Sequence, residues 1–385
     1  MTQRTVLVAG GGTAGHVFPA LAVAEALSTL APDVTPLFVG TRDRLEGRLV
    51  PQAGHELHHV DVLPLPRRPT PKLLKVPGAL RRAIKDVEQL SIERDVVGAV
   101  TFGGYVSLPV AWAMARRHLP LVVHEQNAIP GLSNRLAARW ADRIAVSFPG
   151  SIHRFRQQER VAITGNPVRN RLLGLDLESM RAEAREHFRL RPDLPTLLVF
   201  GGSQGSRTIN TAVAGSLPHW GDPGSVQILH SSGRALYDET ATMLERARRS
   251  AGGATPKLRL VDFIDEMELA FAAADAVVSR AGATSIAELT VLGLPALLVP
   301  YPHATADHQL HNARALEAVG GGRVIEDKDL DGEQIAAITE PWLLDPEAGS
   351  RTAAAAKAFG RPDAASNVAR LLLDELSDAP RGVIT

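Results

Sequence analysis

The sequence predicts an α/β protein made of two parallel-sheet halves, and three observations predict it. The apolar run Thr5-Val6-Leu7-Val8-Ala9 leads straight into Gly10-Gly11-Gly12-Thr13-Ala14-Gly15-His16. A second run, Thr196-Leu197-Leu198-Val199-Phe200, leads into Gly201-Gly202-Ser203-Gln204-Gly205-Ser206. A buried strand that passes through glycines into a helix can hold a phosphate against the helix N-terminus. Around both units short apolar runs alternate with helical stretches, the pattern of a parallel sheet covered on both faces. Two such units in one chain suggest a ligand between them.

In order along the chain, strands are expected near 5–9, 35–39, 97–101, 121–123 and 143–146, with helices near 18–30, 43–53, 78–92, 107–117 and 131–139. The alternation pauses at Gly165-Asn166-Pro167 and a charged helix follows from Glu178 to Arg189, a region read as the linker. A second series places strands near 196–200, 226–229, 258–261, 276–278 and 296–299. The last helix, near 362–376, has an apolar pattern that fits either half.

Composition narrows the class. A chain of 385 residues is long enough for two domains with separate cores. Its 45% apolar and 22% charged content is that of an ordinary globular protein. A formal net charge of zero gives no global attraction to nucleic acid, and no nucleic-acid partner is expected. The absence of cysteine excludes disulfides, thiolate zinc sites and thiol catalysis, and fits a reducing compartment. No secretory leader is expected, and runs such as Leu294 to Pro300 are too short to span a bilayer. Any membrane contact is therefore expected to be peripheral.

The first loop contains G-x-G-x-x-G, so a dinucleotide fold competes as a reading. That reading needs an acid at the end of the second strand to hold a ribose. Here Pro36-Leu37-Phe38-Val39 ends in Gly40-Thr41-Arg42, and Asp33 precedes the strand. A glycine turn that serves only packing is the plainer alternative. His16 stands where the loop becomes a helix; imidazole is the side chain suited to moving a proton near neutral pH, although a packing or capping role also fits. In the second loop, Ser203 and Gln204 add side-chain donors to backbone N–H groups. The helix dipole behind it favours an anion by about 0.3–1 kcal/mol, which helps a pyrophosphate but does not alone hold one. Arg169 offers a fixed positive charge for the same anion, or is a solvated surface arginine.

A third small-residue loop, Arg280-Ala281-Gly282-Ala283-Thr284-Ser285, runs into a helix bearing Glu288. A carboxylate there can accept both hydroxyls of a ribose, or simply cap the helix. Asp307, His308 and His311 superficially resemble metal ligands, but no third strong ligand has clear spacing, and the Asp-x-Asp patterns at 327–331 read as solvated surface. No metal and no other cofactor is expected. From Arg67 to Lys85 basic residues interleave with Leu73, Leu74 and Val76, with no acid between Asp61 and Asp86. Each such charge contributes about 1 kcal/mol on an anionic leaflet, enough for reversible docking; a solvated loop followed by a core-packed helix through Leu80, Ile84 and Val87 is the alternative.

Taken together these residues resemble the MurG family, the peptidoglycan N-acetylglucosaminyltransferases that convert lipid I to lipid II. The matching motifs, in order, are the first loop with His16, Gly103-Gly104-Tyr105-Val106-Ser107 and His124-Glu125-Gln126-Asn127. They continue with Gly165-Asn166-Pro167-Val168-Arg169, Gly201 to Ser206, Phe263-Ile264-Asp265, Ala283 to Glu288, and Asp307-His308-Gln309 with Asn312-Ala313. The resemblance implies a GT-B glycosyltransferase fold, two Rossmann-like domains facing across a cleft. It places an acceptor- and membrane-binding domain at 1–164, a UDP-N-acetylglucosamine-binding domain at 165–361, and a final helix, about 362–385, returning to the first. Glu288 would take the ribose hydroxyls, Ile264 the uracil through its backbone, and Ser203 and Arg169 the diphosphate. Ala283, Thr284, Ser285, Ile286 and Ala287 would line the nucleotide. Gln309 and Asn127 would contact the donor, with Thr13, Ala14 and Gly15 beside it. Gly103, Gly104 and Tyr105 would receive the lipid-linked acceptor, and the basic segment would rest on the anionic cytoplasmic leaflet. Partners in cell-wall and division machinery are part of the same implication. Ala14 stands where the family commonly has glycine, and the proline-rich 62–77 loop is unlike the glycine-rich version of some relatives.

The expected chemistry is direct displacement at the anomeric carbon by the muramyl C4 hydroxyl, with inversion to a β-1,4 link. Helix N-termini and Arg169 would stabilise charge on the departing UDP without a metal. His16 is the first choice of base, with Glu125 in reserve. A UDP-N-acetylglucosamine 2-epimerase of the same fold is the nearest alternative. A nicotinamide-dependent oxidoreductase and a non-catalytic membrane scaffold are more distant ones.

Overall fold

The computed structural model describes residues 3–63 and 76–378, which divide into two compact units, Met1–Asn170 with Arg361–Thr385 and Arg171–Gly360. The first holds seven strands: β1 (Arg4–Ala9), β2 (Val34–Gly40), β3 (Leu57–His59), β4 (Val96–Thr101), β5 (Leu121–Glu125), β6 (Arg143–Val146) and β7 (Val161–Ile163). All pair in parallel in the order β3-β2-β1-β4-β5-β6-β7. Between them run α1 (Ala14–Leu30), α2 (Leu45–Gln52), α3 (Val76–Glu93), α4 (Ser107–Arg117) and α5 (Leu132–Ala137).

The apolar runs become strands because each has two faces to bury. In β1, Leu7 and Ala9 enter one core with Val110 and Met114 of α4, while Val6 and Val8 enter the other with Leu27 of α1. Full burial of one such side chain contributes about 1.5–3 kcal/mol, which explains why no polar face is left on the strand. The C-terminal helix Ala364–Asp378 joins that second core through Ala365, Val368, Ala369 and Leu372. An ion pair of 2.7 Å between Glu375 and Arg143 ties it to β6.

The second unit repeats the plan with β8 (Thr196–Phe200), β9 (Gln227–Ser231), β10 (Lys257–Val261), β11 (Ala276–Ser279), β12 (Ala296–Leu298) and β13 (Gly322–Val324). Its order is β10-β9-β8-β11-β12-β13, again all parallel. Helices α6 (Leu177–His187), α7 (Arg207–Ser216), α8 (Tyr237–Ser250), α9 (Met267–Ala273), α10 (Ala283–Leu292), α11 (His308–Glu317), α12 (Gly332–Leu344) and α13 (Pro346–Phe359) connect and cover it. The charged α6 is anchored rather than free. Arg181 and Arg185 hold the two oxygens of Asp275 at 2.9 and 2.7 Å, and the second of these also accepts the Thr196 N–H at the start of β8. The short strands β3, β7 and β13 were not foreseen; they lie at sheet edges or carry too few apolar residues to stand out.

Candidate active site

Both sheets reverse strand order beside their first strand, and ligands of open α/β sheets bind outside the carboxyl ends of the strands at such a switch point. In the first unit the switch lies between β1 and β4. The loops that leave those strands touch: a Cβ on Gly104 would lie 2.6 Å from the Gly11 carbonyl oxygen. His16, in the first turn of α1, has Nδ1 2.9 Å from that same oxygen and 3.3 Å from the Thr13 hydroxyl. A carbonyl oxygen only accepts, so Nδ1 carries a proton, and in the neutral ring Nε2 is then the acceptor. Nε2 faces the second loop, where a Cβ on Gly103 would lie 3.1 Å from it. Thr13 precedes α1 in extended conformation, and Ala14 and Gly15 form its first turn. Ala14 does not adopt a positive φ, so the freedom of a glycine is not used there. Tyr105 is 41% exposed beside this loop pair.

The end of β5 is built differently. Glu125 is 1% exposed and all four of its lone-pair directions are taken. Oε1 accepts the Asn127 N–H at 2.8 Å and the Asn127 amide at 3.3 Å; Oε2 accepts the Gly131 N–H and the Asn134 amide, each at 2.9 Å. Its carboxylate is the anchor of the 126–131 loop. Next to it, fully buried His124 donates from Nε2 to the Gly165 carbonyl at 3.0 Å and accepts the Gln126 amide on Nδ1 at 3.1 Å. Burial pushes its imidazole down to about 4. These bonds draw the Gly165 turn under β5, and Arg169 just beyond lays its guanidinium 4.9 Å from the centre of the Phe18 ring in α1.

In the second unit the switch lies between β8 and β11. Ser206 caps α7, its Oγ accepting the Ile209 N–H at 3.3 Å, while Ser203 stands exposed in the preceding loop. The loop is locked from below, since a Cβ on Gly205 would lie 2.1 Å from the Ser232 carbonyl oxygen. Arg280 leaves the end of β11 and ties the neighbouring segments together. It donates to Ser206 Oγ at 2.7 Å and to the Val299 and Pro300 carbonyls at 3.2 Å each, and it pairs with Asp327 at 2.5 Å. Beneath, Asn210 bridges Ser232, Thr240 and the buried imidazole of His230, which desolvation pushes down to about 3. α10 begins at Ala283 with no side-chain cap; Thr284, Ser285, Ile286 and Ala287 complete its first turn and Glu288 follows, 8% exposed. Ile264 is buried between β10 and α9, and Gln309 in α11 accepts the Tyr301 N–H at 2.8 Å.

The first switch thus gathers Thr13, His16, Gly103 and Gly104, and the second gathers the Ser203 loop with the start of α10. Glu125 is turned inward. Sequence reasoning passed over the side chain of Arg280, and over Glu46 and Asn134, whose tertiary contacts give them their roles. Of the basic segment, residues 67–75 lie outside the described residues, while Arg81, Arg82 and Lys85 are exposed on α3 opposite the buried Ala79, Ala83, Ile84 and Val87. Among the described residues no group of three or more His, Asp or Glu side chains converges, and no helix is long and apolar enough to cross a membrane.

Two family models match this chain: the glycosyltransferase family 28 N-terminal domain over residues 6–146 and the glycosyltransferase family 28 C-terminal domain over 196–368. The chain is 44% identical to a protein of Nocardioides sp., over 96% of this chain and 97% of that one. The relative is named UDP-N-acetylglucosamine--N-acetylmuramyl-(pentapeptide) pyrophosphoryl-undecaprenol N-acetylglucosamine transferase. A Streptomyces collinus protein of the same name is 42% identical, over 93% and 95%. Among solved structures, MurG of Acinetobacter baumannii matches with a TM-score of 0.76 at 24% identity, covering 97% of this chain and 99% of that one. UDP-GlcNAc 2-epimerase of Neisseria meningitidis, solved with UDP-GlcNAc, matches at 0.69 but with 12% identity, over 97% and 99%. The fold class is the GT-B type, two Rossmann-like α/β units.

Proposed function

The chain belongs to glycosyltransferase family 28, and on that premise we propose that it transfers N-acetylglucosamine from UDP-N-acetylglucosamine to the muramyl C4 hydroxyl of undecaprenyl-pyrophosphoryl-N-acetylmuramyl-pentapeptide, lipid I, to give lipid II. The observation that carries this reading is the match at 44% identity along nearly the whole of both chains to a transferase named for that donor and acceptor. The 2-epimerase reading shares the fold at 12% identity, which speaks to architecture alone.

In this reaction the acceptor hydroxyl must lose a proton as it attacks the anomeric carbon, and the departing UDP must gain charge. His16 takes the proton on Nε2, the nitrogen that its Nδ1–H bond to the Gly11 carbonyl leaves unprotonated. The imidazolium that results keeps that bond, so the charge is formed on a ring that does not need to reorient. Glu125 is a positioning residue that holds the loop carrying Asn127. In the second unit, backbone N–H groups at the start of α7, held by Ser206 and Arg280, meet the diphosphate near Ser203. Glu288 takes the ribose hydroxyls, Ile264 the uracil and Gln309 the sugar, with Ala283 to Ala287 lining the nucleotide. Arg169 adds positive charge, and Thr13, Ala14 and Gly15 lie beside the donor. Gly103, Gly104 and Tyr105 receive the acceptor. The exposed bases of α3 rest on the anionic cytoplasmic leaflet that carries lipid I, so the protein works as a peripheral membrane enzyme.

The test is incubation with labelled UDP-N-acetylglucosamine, alone and with a lipid I analogue. Label is expected in the lipid product only when acceptor is present. Conversion of the donor to its 2-epimer without acceptor would instead establish the epimerase.

A further inference from the structure

Glu46 is a buried carboxylate that the mechanism above does not use. It lies in the first turn of α2, between Arg44 and Arg48 in sequence, yet it is 1% exposed and points back into the fold. Three donors converge on it. The Gly12 N–H reaches Oε2 at 2.9 Å, while the Thr41 N–H and hydroxyl reach Oε1 at 3.2 and 2.7 Å. The backbone has been cleared to admit it: a Cβ on Gly11 would lie 2.6 Å from its Oε1, and one on Gly40 2.7 Å from its Cγ. Among the described residues no cation pairs with it. A buried carboxylate is costly to maintain unless the bonds to it are made, and these three bonds tie Gly12 and Thr41 to Glu46.

The first glycine loop is thereby held at adjacent residues on two sides. Glu46 grips the Gly12 N–H, and the preceding carbonyl, that of Gly11, accepts the His16 Nδ1–H at 2.9 Å. Gly12 itself sits at φ +87, a region glycine enters without steric cost, so no side chain of its own restricts the Gly11–Gly12 peptide. The Gly11 carbonyl and the Gly12 N–H belong to one rigid peptide plane, so fixing the N–H fixes the direction of the carbonyl. We propose that Glu46 is the positioning residue of the first loop: through the Gly11–Gly12 peptide it sets the orientation and the tautomer of His16. The proposal rests on the reading of His16 as the base.

The test is a set of variants of the full chain, E46Q, E46A and T41V, with H16A as a reference. Removing the carboxylate is expected to lower kcat about ten- to a hundredfold, since small misplacements of a reacting group carry losses of that order, while KM for UDP-N-acetylglucosamine stays within about twofold. T41V removes one donor to Oε1 and keeps the carboxylate; it is expected to show a smaller loss in the same direction and supplies the comparison should E46A fold poorly. Long-range proton–nitrogen NMR on labelled protein reads the His16 tautomer without any turnover. Wild type is expected to show the Nδ1–H form, and E46A and E46Q a mixture of the two neutral forms. An unchanged His16 signal in E46Q and E46A, or KM rising in step with the fall in kcat, would overturn the proposal. Failure of the underlying reading is separable, because it would appear as near-normal turnover in H16A whatever the tautomer does.

Discussion

The His16 Nδ1 lies 2.9 Å from the Gly11 carbonyl oxygen, and this bond decides which ring nitrogen is available for chemistry. Replacing His16 by alanine is expected to lower kcat by about 10²–10⁴-fold, the range for a positioned proton acceptor. Donor affinity should stay within about twofold, because the ring is proposed to act on the acceptor. Calorimetric titration with UDP beside steady-state transfer rates checks both halves; weakened UDP binding with unchanged kcat would reassign His16 to the donor.

Glu125, which the resemblance offers as the reserve base, has the contacts of an anchor. Substitution by alanine leaves the N–H groups of Asn127 and Gly131 and the Asn134 amide without their acceptor. Only the Asn134 amide is buried among the three; stranded, it costs about 1–3 kcal/mol, and a loss of that order is expected in urea unfolding. An E125A protein as stable as wild type but inactive would make Glu125 a participant in the chemistry.

The buried histidines give the fold an acid-sensitive side. His124 titrates near 4 and His230 near 3, both well below the ordinary imidazole value of 6.5, because burial disfavours the charged ring. The unfolded chain therefore binds protons between about pH 6.5 and 4 that the folded chain does not, and stability falls as pH falls through that window. Each histidine contributes a slope of at most about 1.4 kcal/mol per pH unit. Urea midpoints measured from pH 7 to pH 5 should decline, and should decline less steeply in a His124→Gln variant; a flat profile in wild type would contradict the assignment.

Arg280 and Ser206 join the end of β11 to the cap of α7 through a 2.7 Å bond. Lysine cannot reproduce the several directed donors of a guanidinium, so R280K is expected to loosen the second glycine loop. The predicted result is a rise of about tenfold in KM for UDP-N-acetylglucosamine, with a smaller change in kcat, read from initial rates at saturating acceptor. A change in kcat alone would place Arg280 with the reacting atoms instead.

Much of this was legible in the sequence wherever a residue's environment is set by its near neighbours. Val6 to Ala9 and Leu197 to Val199 read as buried strands because a run with no polar face has only one place to go. The glycine loops read as loops, and His16 as their terminus, for the same reason. Glu46 did not, since a glutamate flanked by Arg44 and Arg48 looks like a solvated helix face, and only Gly12 and Thr41, brought in by β1 and β2, make it a buried anchor. The one local signal was the pair Gly40 and Gly11, glycines at two strand ends with no room for a side chain. Glu125 was singled out through the motif that carries the family resemblance, but its closing partner Asn134 lies on α5, and the return of that helix start onto β5 is a tertiary event. The three-residue strands β3, β7 and β13 are held by their neighbours' hydrogen bonds and carry little pattern of their own.

The most direct measurement of the central claim is transfer of labelled N-acetylglucosamine from UDP to a lipid I analogue by wild type and H16A side by side, with the anomeric configuration of the product determined by NMR. A β-linked product is expected from wild type, formed only with acceptor present, and a loss of about 10²–10⁴-fold in H16A at unchanged UDP affinity. An α-linked product, or H16A turnover near that of wild type, would contradict it.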